Sequence, residues 1–208
     1  MSPNKSGATL QRRPLVKQLL DNAGDDLLVI AGLGSSNWDI TAAGDRPLNM
    51  PLWGSMGAPV GMGLGLALAQ PTKRVLVITG DGDMLMSLGS LATVATQMPE
   101  NLAIVVLDNE KFGETGNQAT HTSPRNNGPT DSGAGTDLAM IARGCGIADA
   151  TTVRESSEVA ELVKDVRSKK GPVFRLVKVM VEKLEFVMPP QDGAHLKDRF
   201  RQALLGHP

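Results

Sequence analysis

The sequence predicts a doubly wound α/β domain, with a mostly parallel sheet of five or six strands flanked by helices. Two observations indicate this fold. Short, wholly apolar runs, typical of strands buried on both faces, alternate with segments whose apolar residues recur at helical spacing. Glycine-containing polar turns follow several of the apolar runs. In such sheets ligands bind beyond the carboxyl ends of the strands, so these turns are candidate site residues.

The first elements are a helix and a strand. Residues 9–22 carry apolar side chains at helical spacing. The apolar run 27–31 then ends at the glycine turn 32–34, which is the pattern of a strand and its turn. The basic residues of this region are predicted to form a solvated helix face: Lys5, Arg12, Arg13 and Lys17.

The next strand and helix enclose an acidic turn. The apolar run 75–78 is stopped by Gly80-Asp81-Gly82, and residues 85–98 return to helical spacing before Pro99. The predicted buried face of this helix consists of Leu85, Leu88, Leu91, Ala92, Ala95 and Met98.

The rest of the chain repeats the alternation. The predicted elements are strands at 102–107, 147–153 and 173–179 and helices at 136–144 and 156–168. Residues 123–135 have loop composition, and a loop of this length is often a lid. We predict one domain over residues 1–180, followed by a tail with a short helix over residues 181–208.

Composition narrows the possible partners. The chain has 208 residues, with 21 Lys and Arg against 22 Asp and Glu, so its net charge is −1. This balance gives no electrostatic reason to expect a nucleic acid or an acidic membrane as partner. No run approaches the ~18 apolar residues of a membrane span, and the N-terminus has no apolar signal core. We therefore expect a cytoplasmic protein.

A single cysteine limits redox chemistry. Cys145 alone can form neither an internal disulfide nor a set of iron–sulfur ligands. Free cysteines are commonly buried, so we expect an inert, buried thiol.

The turn Gly80-Asp81-Gly82-Asp83 is the first candidate site. Its glycines would let backbone N–H groups approach an anion at the start of a helix. A carboxylate beside a bound diphosphate needs a divalent cation between them, and Mg²⁺ prefers such oxygen ligands. The alternative is an ordinary turn in which Asp83 only caps the helix.

Asn109 favours the metal-binding interpretation. It follows the next predicted strand, with 27 residues between it and Asp81. One helix and one strand span that distance, so the two side chains are expected to return to the same edge of the sheet. Amide and backbone carbonyl oxygens are suitable ligands for Mg²⁺.

Gly80-Asp81-Gly82 followed by Asn109 resembles the signature of thiamine diphosphate enzymes. The resemblance implies that the side chains of Asp81 and Asn109 and the main-chain carbonyl of Lys111 bind Mg²⁺. It also implies a diphosphate site, whose residues are Gly80, Gly82, Asp83 and Gly113.

A glycine-rich segment precedes this signature. Gly57, Gly61 and Gly65 recur every four residues, which predicts a helix with one bare face for close packing. By the same resemblance, Gly54 and Ser55 contact the cofactor, with the Gly54 carbonyl accepting from its aminopyrimidine group. Met56 would be the apolar wedge that holds the cofactor bent.

Within these enzymes the chain resembles decarboxylases of sulfopyruvate and phosphonopyruvate, from about residue 10 to residue 180. The particular match is the segment 113–122, Gly-Glu-Thr-Gly-Asn-Gln-Ala-Thr-His-Thr. The resemblance implies that Glu114 and Thr115 face the reacting carbon. His121 would be a substrate ligand or proton carrier, although an exposed loop histidine is the alternative. The segment 126–135, Trp38 and Asp39, and the tail depart from the pattern and leave the substrate open.

Full-length members of the family carry a second domain, which binds the pyrimidine ring and supplies a catalytic glutamate. The present sequence has no room for it, so we expect a pyrimidine-domain (alpha) subunit, a shared active site and a hetero-oligomer.

Three alternatives remain open. One is a subunit of a thiamine diphosphate-dependent carboligase. The second is the β chain of a 2-oxoacid:ferredoxin oxidoreductase. Such chains usually carry several cysteines that bind an iron–sulfur cluster, so the single cysteine, Cys145, argues against this alternative. A nucleotide-binding regulatory module is the third, but residues 32–37 lack the third glycine of the dinucleotide fingerprint.

Overall fold

A computed structural model describes residues 8–124 and 135–207. The strands are β1 Leu27–Ala31, β2 Asn49–Pro51, β3 Arg74–Gly80, β4 Leu102–Asp108, β5 Lys111–Phe112, β6 Gln118–Ala119, β7 Ala150–Val153 and β8 Val173–Lys178. The α-helices are α1 Arg12–Leu20, α2 Ser35–Ala42, α3 Pro59–Ala69, α4 Asp81–Leu85, α5 Gly89–Gln97, α6 Leu138–Gly144, α7 Val159–Ser168 and α8 Gly193–Leu205. Short 3₁₀ turns lie at Gly113–Thr115 and Ser156–Glu158.

Six strands form one sheet in the order β2-β1-β3-β4-β8-β7, and every neighbouring pair is parallel. The small strands β5 and β6 form a separate antiparallel pair after β4. The predicted doubly wound α/β fold is therefore confirmed.

The sheet lies between two apolar layers, which explains its wholly apolar strands. In β3, Val75 and Val77 point into one layer, while Leu76 and Ile78 point into the other. Helices α3, α5, α6 and α8 contribute to the first layer and α1 and α7 to the second. Alternate residues of a strand point to opposite faces, so a sheet covered on both sides needs apolar residues at every position.

The helix predicted at 85–98 is two helices in the structure. The chain becomes helical already at Asp81, and α4 and α5 are separated by residues 86–88. The predicted buried face is wrong in part. Leu91 and Val94 are fully buried, whereas Met98 is exposed, as is Ala92. The break changes the rotation of the second helix, so a single helical period across 85–98 assigns the wrong face.

The predicted glycine contact face of α3 is also wrong. A Cβ atom on Gly61 or Gly65 would meet nothing within 4 Å, and Gly57 precedes the helix. Close packing occurs at Gly63, where a Cβ atom would lie 2.2 Å from Cγ2 of Val77. Because successive residues are about 100° apart, positions two residues either side of Gly63 point away from the sheet.

The prediction of a solvated basic helix face is wrong for Arg12. Its side chain is buried, and the guanidinium groups of Arg12 and Arg13 both donate to Asp39, which lies in α2. Lys17 is exposed and pairs with Asp21, as expected of a solvated face. Lys5 lies outside the described residues.

The tail packs on the domain. Helix α8 has 13 residues, and its Leu196 and Phe200 are buried. Phe200 joins the apolar layer beneath β1 and α3. The domain boundary at residue 180 stays a prediction.

Two smaller expectations can be compared with the structure. Cys145 is half-buried, whereas a buried thiol was expected. None of the described helices is long and apolar enough to cross a membrane.

Candidate functional site

Four segments meet at the carboxyl end of the sheet. The turn after β1 lies beside the end of β3, because Gly32 N–H donates to the Ile78 carbonyl at 2.8 Å. A Cβ atom on Gly34 would lie 3.2 Å from Oε1 of Glu114, so the turn after β4 reaches the same place. Gly57 N–H donates to Oδ1 of Asp83 at 2.5 Å, which brings in the glycine-rich loop. The candidate turns that follow β1, β3 and β4 therefore lie together at one edge of the sheet.

Asp83 joins these segments. Its carboxylate is buried and accepts hydrogen bonds from Gly57 N–H and from the Thr79 hydroxyl, the latter at 2.5 Å. Burial raises the pKa of Asp83, and hydrogen bonds from Thr79 and from the backbone of Gly57 and Leu33 oppose that rise. The side chain does not cap its helix, since α4 begins at Asp81 and has no side-chain cap. The helix-capping alternative is therefore wrong.

Asp81 lies at the start of α4 and is only 2% exposed. Thr120 Oγ1 donates to Oδ2 of Asp81 at 2.5 Å, and Thr122 Oγ1 lies 3.0 Å from the same oxygen. Burial, followed by the nearby charge of Asp108, raises the pKa of Asp81 to about 7. Among the described residues, no ion pair involves Asp81. Its hydrogen bonds come from these hydroxyl groups and from its own backbone N–H, and a buried carboxylate without a neighbouring cation is suited to a divalent metal ion.

Asp108, by contrast, has its own cation. Lys178, at the end of β8, pairs with Asp108 at 2.7 Å and with Glu110 at 3.0 Å. Burial alone would lower the pKa of Lys178, but these carboxylates outweigh it and raise the pKa. Thr122 Oγ1 also lies 2.9 Å from Asp108, so the hydroxyl bridges the two aspartates.

Asn109 and Lys111 form a tight turn directly after β4. Oδ1 of Asn109 accepts from Lys111 N–H at 2.9 Å, and Glu110 between them has a left-handed φ of 61°. Such a turn holds the amide of Asn109 and the backbone of Lys111 at the sheet edge. Among the described residues, no group of three His, Cys, Asp or Glu side chains could hold a metal. The predicted metal ligands include only one such side chain, Asp81.

Phe112 and Gly82 pack against each other beside this turn. A Cβ atom on Gly82 would lie 2.5 Å from Cε1 of Phe112, so the aromatic ring requires glycine there. Glycine at this position also leaves the backbone N–H groups at the start of α4 accessible to a ligand.

The segment after Gly113 turns back, so that β6 pairs with β5 in antiparallel orientation. Thr115 Oγ1 donates to Oε1 of Gln118 at 2.8 Å, and both residues are exposed. Glu114 and His121 are also exposed, and Thr120 instead points inward to Asp81. Residues 125–134 of the predicted lid lie outside the described residues.

The loop before α3 has an unusual backbone. Gly54, Ser55 and Gly57 have φ values of 77°, 53° and 94°, and Met56 between them is 39% exposed. A left-handed serine is uncommon and persists only where the surroundings fix it. The loop therefore presents the Met56 side chain and the backbone of Gly54 in a defined conformation.

The first turn of α2 contains polar groups without partners. The Ser36 side chain is 1% exposed, and its hydroxyl has no hydrogen-bond partner among the described residues. Oδ1 of Asn37 is likewise unpaired, although its amide nitrogen donates to the Leu52 carbonyl. A buried polar group of this kind calls for an explanation, and a helix N-terminus favours an anion.

Several of these residues were missed by the sequence analysis. They are Ser36, Thr79, Asp108, Thr122 and Lys178. Ser36 had a signal, because it follows a glycine turn at the end of a predicted strand. The contacts of the others depend on how strands far apart in sequence are placed.

The family described as thiamine pyrophosphate enzyme, C-terminal TPP binding domain, matches residues 34–177. Sulfopyruvate decarboxylase subunit beta of Methanocaldococcus jannaschii is 39% identical over 142 residues, covering 68% of this chain and 70% of that protein. Phosphonopyruvate decarboxylase of Streptomyces viridochromogenes is 30% identical over 200 residues, covering 96% of this chain but 47% of that protein.

A solved structure of a thiamin diphosphate-dependent enzyme from Mycobacterium smegmatis shares the fold, with a TM-score of 0.65 and 21% identity. It aligns with 83% of this chain and 32% of that one. The resemblance inferred from the GDG and asparagine signature is confirmed. The chain therefore belongs to the thiamine pyrophosphate enzyme family, and residues 34–177 match its C-terminal cofactor-binding domain.

Proposed function

We propose that this chain is the diphosphate- and Mg²⁺-binding subunit of a thiamine diphosphate-dependent 2-oxoacid decarboxylase of the sulfopyruvate or phosphonopyruvate type. The observation that carries the proposal is Asp81. Within a family domain that binds this cofactor, it is a buried carboxylate with no cation beside it in the described part of the chain, at the edge of the sheet where the asparagine turn lies. The relatives with 39% and 30% identity are decarboxylases of these two substrates.

The proposed metal ligands are Asp81, the side chain of Asn109 and the main-chain carbonyl of Lys111. Mg²⁺ needs oxygen ligands, and it would supply the positive charge that the buried carboxylate of Asp81 lacks. Because Oδ1 of Asn109 accepts from Lys111 N–H, the amide is already oriented in the turn.

The proposed diphosphate site is formed by Gly80, Gly82, Asp83 and Gly113. The Asp83 carboxylate is already bonded to Thr79 and Gly57, so we assign its contribution to the backbone N–H. The Ser36 hydroxyl at the start of α2 has no hydrogen-bond partner among the described residues and fits a phosphate oxygen. It supports an anionic ligand independently of the turn Gly80-Asp81-Gly82.

The loop Gly54–Met56 is proposed to hold the organic part of the cofactor. Gly54 would accept a hydrogen bond from the aminopyrimidine through its carbonyl, with Ser55 fixing the turn. Met56 is exposed enough to contact a ligand, and its flexible thioether side chain suits an apolar wedge. When bound, thiamine diphosphate supplies the electron sink that decarboxylation requires.

The substrate is proposed to bind near Glu114, Thr115 and His121. All three are exposed, and Glu114 lies over the Gly34 turn. Recognition of a second anionic group needs cations or several donors. In this part of the chain the donors are mainly neutral, such as Thr115 and Gln118, so we assign the cationic contacts to a partner.

That partner is proposed to be a pyrimidine-domain (alpha) subunit, which supplies the catalytic glutamate. Support comes from the relative of Methanocaldococcus jannaschii, which is described as a subunit beta. In the same proposal, residues 1–180 form the cofactor-binding domain and residues 181–208 its tail.

The test is to purify the chain with its partner subunit and identify the bound cofactor by mass spectrometry after denaturation. CO₂ release is then compared for sulfopyruvate, phosphonopyruvate and pyruvate. We expect thiamine diphosphate and a preference for an anionic group on the third carbon. A preference for pyruvate would overturn the proposed substrate class. Formation of a carbon–carbon bond with aldehydes would favour the carboligase alternative. A bound dinucleotide would overturn the proposal as a whole.

A further inference from the structure

The segment 182–190, which we call the strap, connects the end of the sheet to α8 and is fastened first to α1. Oε2 of Glu182 accepts from the backbone N–H of Arg12 at 2.8 Å. The carbonyl of Glu185 accepts from the Arg13 guanidinium at the same distance. These two contacts fix where the strap begins to cross the surface.

The strap then passes α2 and the loop before α3. The ring of Phe186 lies 4.2 Å from that of Trp38, measured between centroids. The carbonyl of Pro190 accepts from the indole N–H of Trp53 at 2.7 Å. Beyond it, the buried side chains of Leu196 and Phe200 anchor α8. The strap is therefore tied down on both sides of its contact with Trp53.

Trp53 directly precedes the loop Gly54–Gly57, which carries left-handed residues including Ser55. The far end of this loop is held by the bond from Gly57 N–H to Asp83. The near end is held through the indole of Trp53. One residue before Trp53, the Leu52 carbonyl also accepts from the side-chain amide of Asn37 at 2.6 Å. Backbone conformations of this kind persist only when their surroundings impose them, and the indole of Trp53 is the restraint that links this end of the loop to the strap.

We propose that Trp53 is a positioning residue. By donating to Pro190, it holds the loop Gly54–Met56 in the conformation that receives the aminopyrimidine, so the strap becomes part of the cofactor site. The inference rests on the proposed function. It goes beyond the family domain, whose match ends at residue 177, before the strap begins.

The chain offers a matched pair of substitutions, because it has two tryptophans and both contact the strap. Trp53→Phe removes the indole donor and keeps an aromatic ring. Trp38→Phe keeps the ring contact with Phe186 and leaves the bond to Pro190 intact. Both variants are prepared with the partner subunit. The dissociation constant of thiamine diphosphate with Mg²⁺ is measured by calorimetry, and the unfolding temperature without cofactor by differential scanning.

We expect Trp53→Phe to weaken cofactor binding by about fivefold, which is the effect of losing one neutral hydrogen bond. The unfolding temperature of the cofactor-free Trp53→Phe variant should be close to that of Trp38→Phe. Trp38→Phe should bind the cofactor like the wild type. The proposal fails if Trp53→Phe binds as tightly as the wild type or if both variants weaken equally. It also fails if the loss of affinity only accompanies a general loss of thermal stability.

Hydrogen exchange of the wild-type assembly gives a second measurement that does not depend on a variant folding. Thiamine diphosphate with Mg²⁺ should slow amide exchange in the strap as well as at residues 80–83. Protection at 80–83 without any change in the strap would overturn the positioning role and leave the proposed function standing. No protection at 80–83 would refute the proposed cofactor site, and this inference with it.

Discussion

At the residue scale, the three buried aspartates at the edge of the sheet are stabilised in different ways. Asp83 accepts from a backbone N–H and a threonine, and Asp108 pairs with Lys178. Asp81 accepts from two threonine hydroxyls and from its own backbone N–H, has no cation beside it among the described residues, and its pKa is raised to about 7 by burial and by the nearby charge of Asp108. A buried charge that lacks a cation is costly. Of the three, Asp81 is therefore the carboxylate that gains most from a bound metal.

Asp81→Asn should remove Mg²⁺-dependent cofactor binding and leave the fold intact. The amide keeps the volume of the side chain but loses the charge that binds the metal. We expect the affinity for thiamine diphosphate to fall by at least about 100-fold, since even groups outside the ligand set are worth 10–100-fold. Calorimetric titration of the assembled complex measures the affinity, and urea unfolding measures stability.

The control for this variant is Asp21→Asn, which changes an exposed carboxylate that pairs with Lys17 in the segment leading into β1, at the amino end of the sheet. It should bind the cofactor normally. Wild-type affinity in Asp81→Asn would remove Asp81 from the metal site.

Ser36→Ala should separate cofactor affinity from stability. Its buried hydroxyl has no partner among the described residues, so replacing it with a methyl group should leave the free energy of unfolding of the cofactor-free protein unchanged or slightly higher. If the hydroxyl binds a phosphate oxygen, the affinity for thiamine diphosphate should fall about tenfold, as for a hydrogen bond to a charged group. Ser168→Ala, in which an exposed hydroxyl bonded within α7 is lost, serves as the control. A loss of stability with unchanged affinity would contradict the phosphate role.

The sequence could predict the central residues of the candidate site, but not the side chains that surround them. Asp81 and Asn109 each follow one of two neighbouring parallel strands, β3 and β4, whose apolar runs are visible in the sequence. Thr122 and Lys178 have no such local signal, because their contacts with Asp108 span 14 and 70 residues. Only the placement of β8 beside β4 brings Lys178 to the site.

At the element scale, the buried strands were the most predictable part of the fold. The apolar run 27–31 is β1 itself, since a strand buried on both faces has no polar interruptions. Helix α2 and strand β2 were missed. The first mixes polar and apolar residues without a clear face, and the second has only three residues. Periodicity gives no signal in such segments.

The glycines of α3 give a prediction about packing. Gly63→Ala should destabilise the protein by about 1–3 kcal/mol, because the new Cβ atom would overlap Cγ2 of Val77. Gly65→Ala has open space and should stabilise the helix by about 0.5–1 kcal/mol. Chemical denaturation of the two variants measures the difference. Equal effects would mean that α3 does not pack on the sheet through Gly63.

At the scale of the whole molecule, two exposed methionines lie at the proposed cofactor loop. Met56 is exposed on the loop, and Met86, just after α4, is exposed and lies against Gly57 of the same loop. Exposed apolar patches commonly mark surfaces that bind another protein. Their position beside the loop Gly54–Gly57 is the one that the proposed partner subunit would cover, and the sequence could not show it because Met86 follows the loop by 29 residues.

The proposed division of the active site between two subunits predicts how activity depends on assembly. The isolated chain should release almost no CO₂ from a 2-oxoacid, because in the proposed function the catalytic glutamate comes from the partner. Adding the pyrimidine-domain subunit should raise the rate until the partner is saturated. Chains carrying Asp81→Asn should still bind the partner, because Asp81 is buried and contributes little surface. Mixed with wild-type chains at a limiting amount of partner, they should lower activity in proportion to their share. Steady CO₂ release by the isolated chain would refute the shared site, whereas an Asp81→Asn chain that fails to compete would show that metal binding is needed for assembly itself.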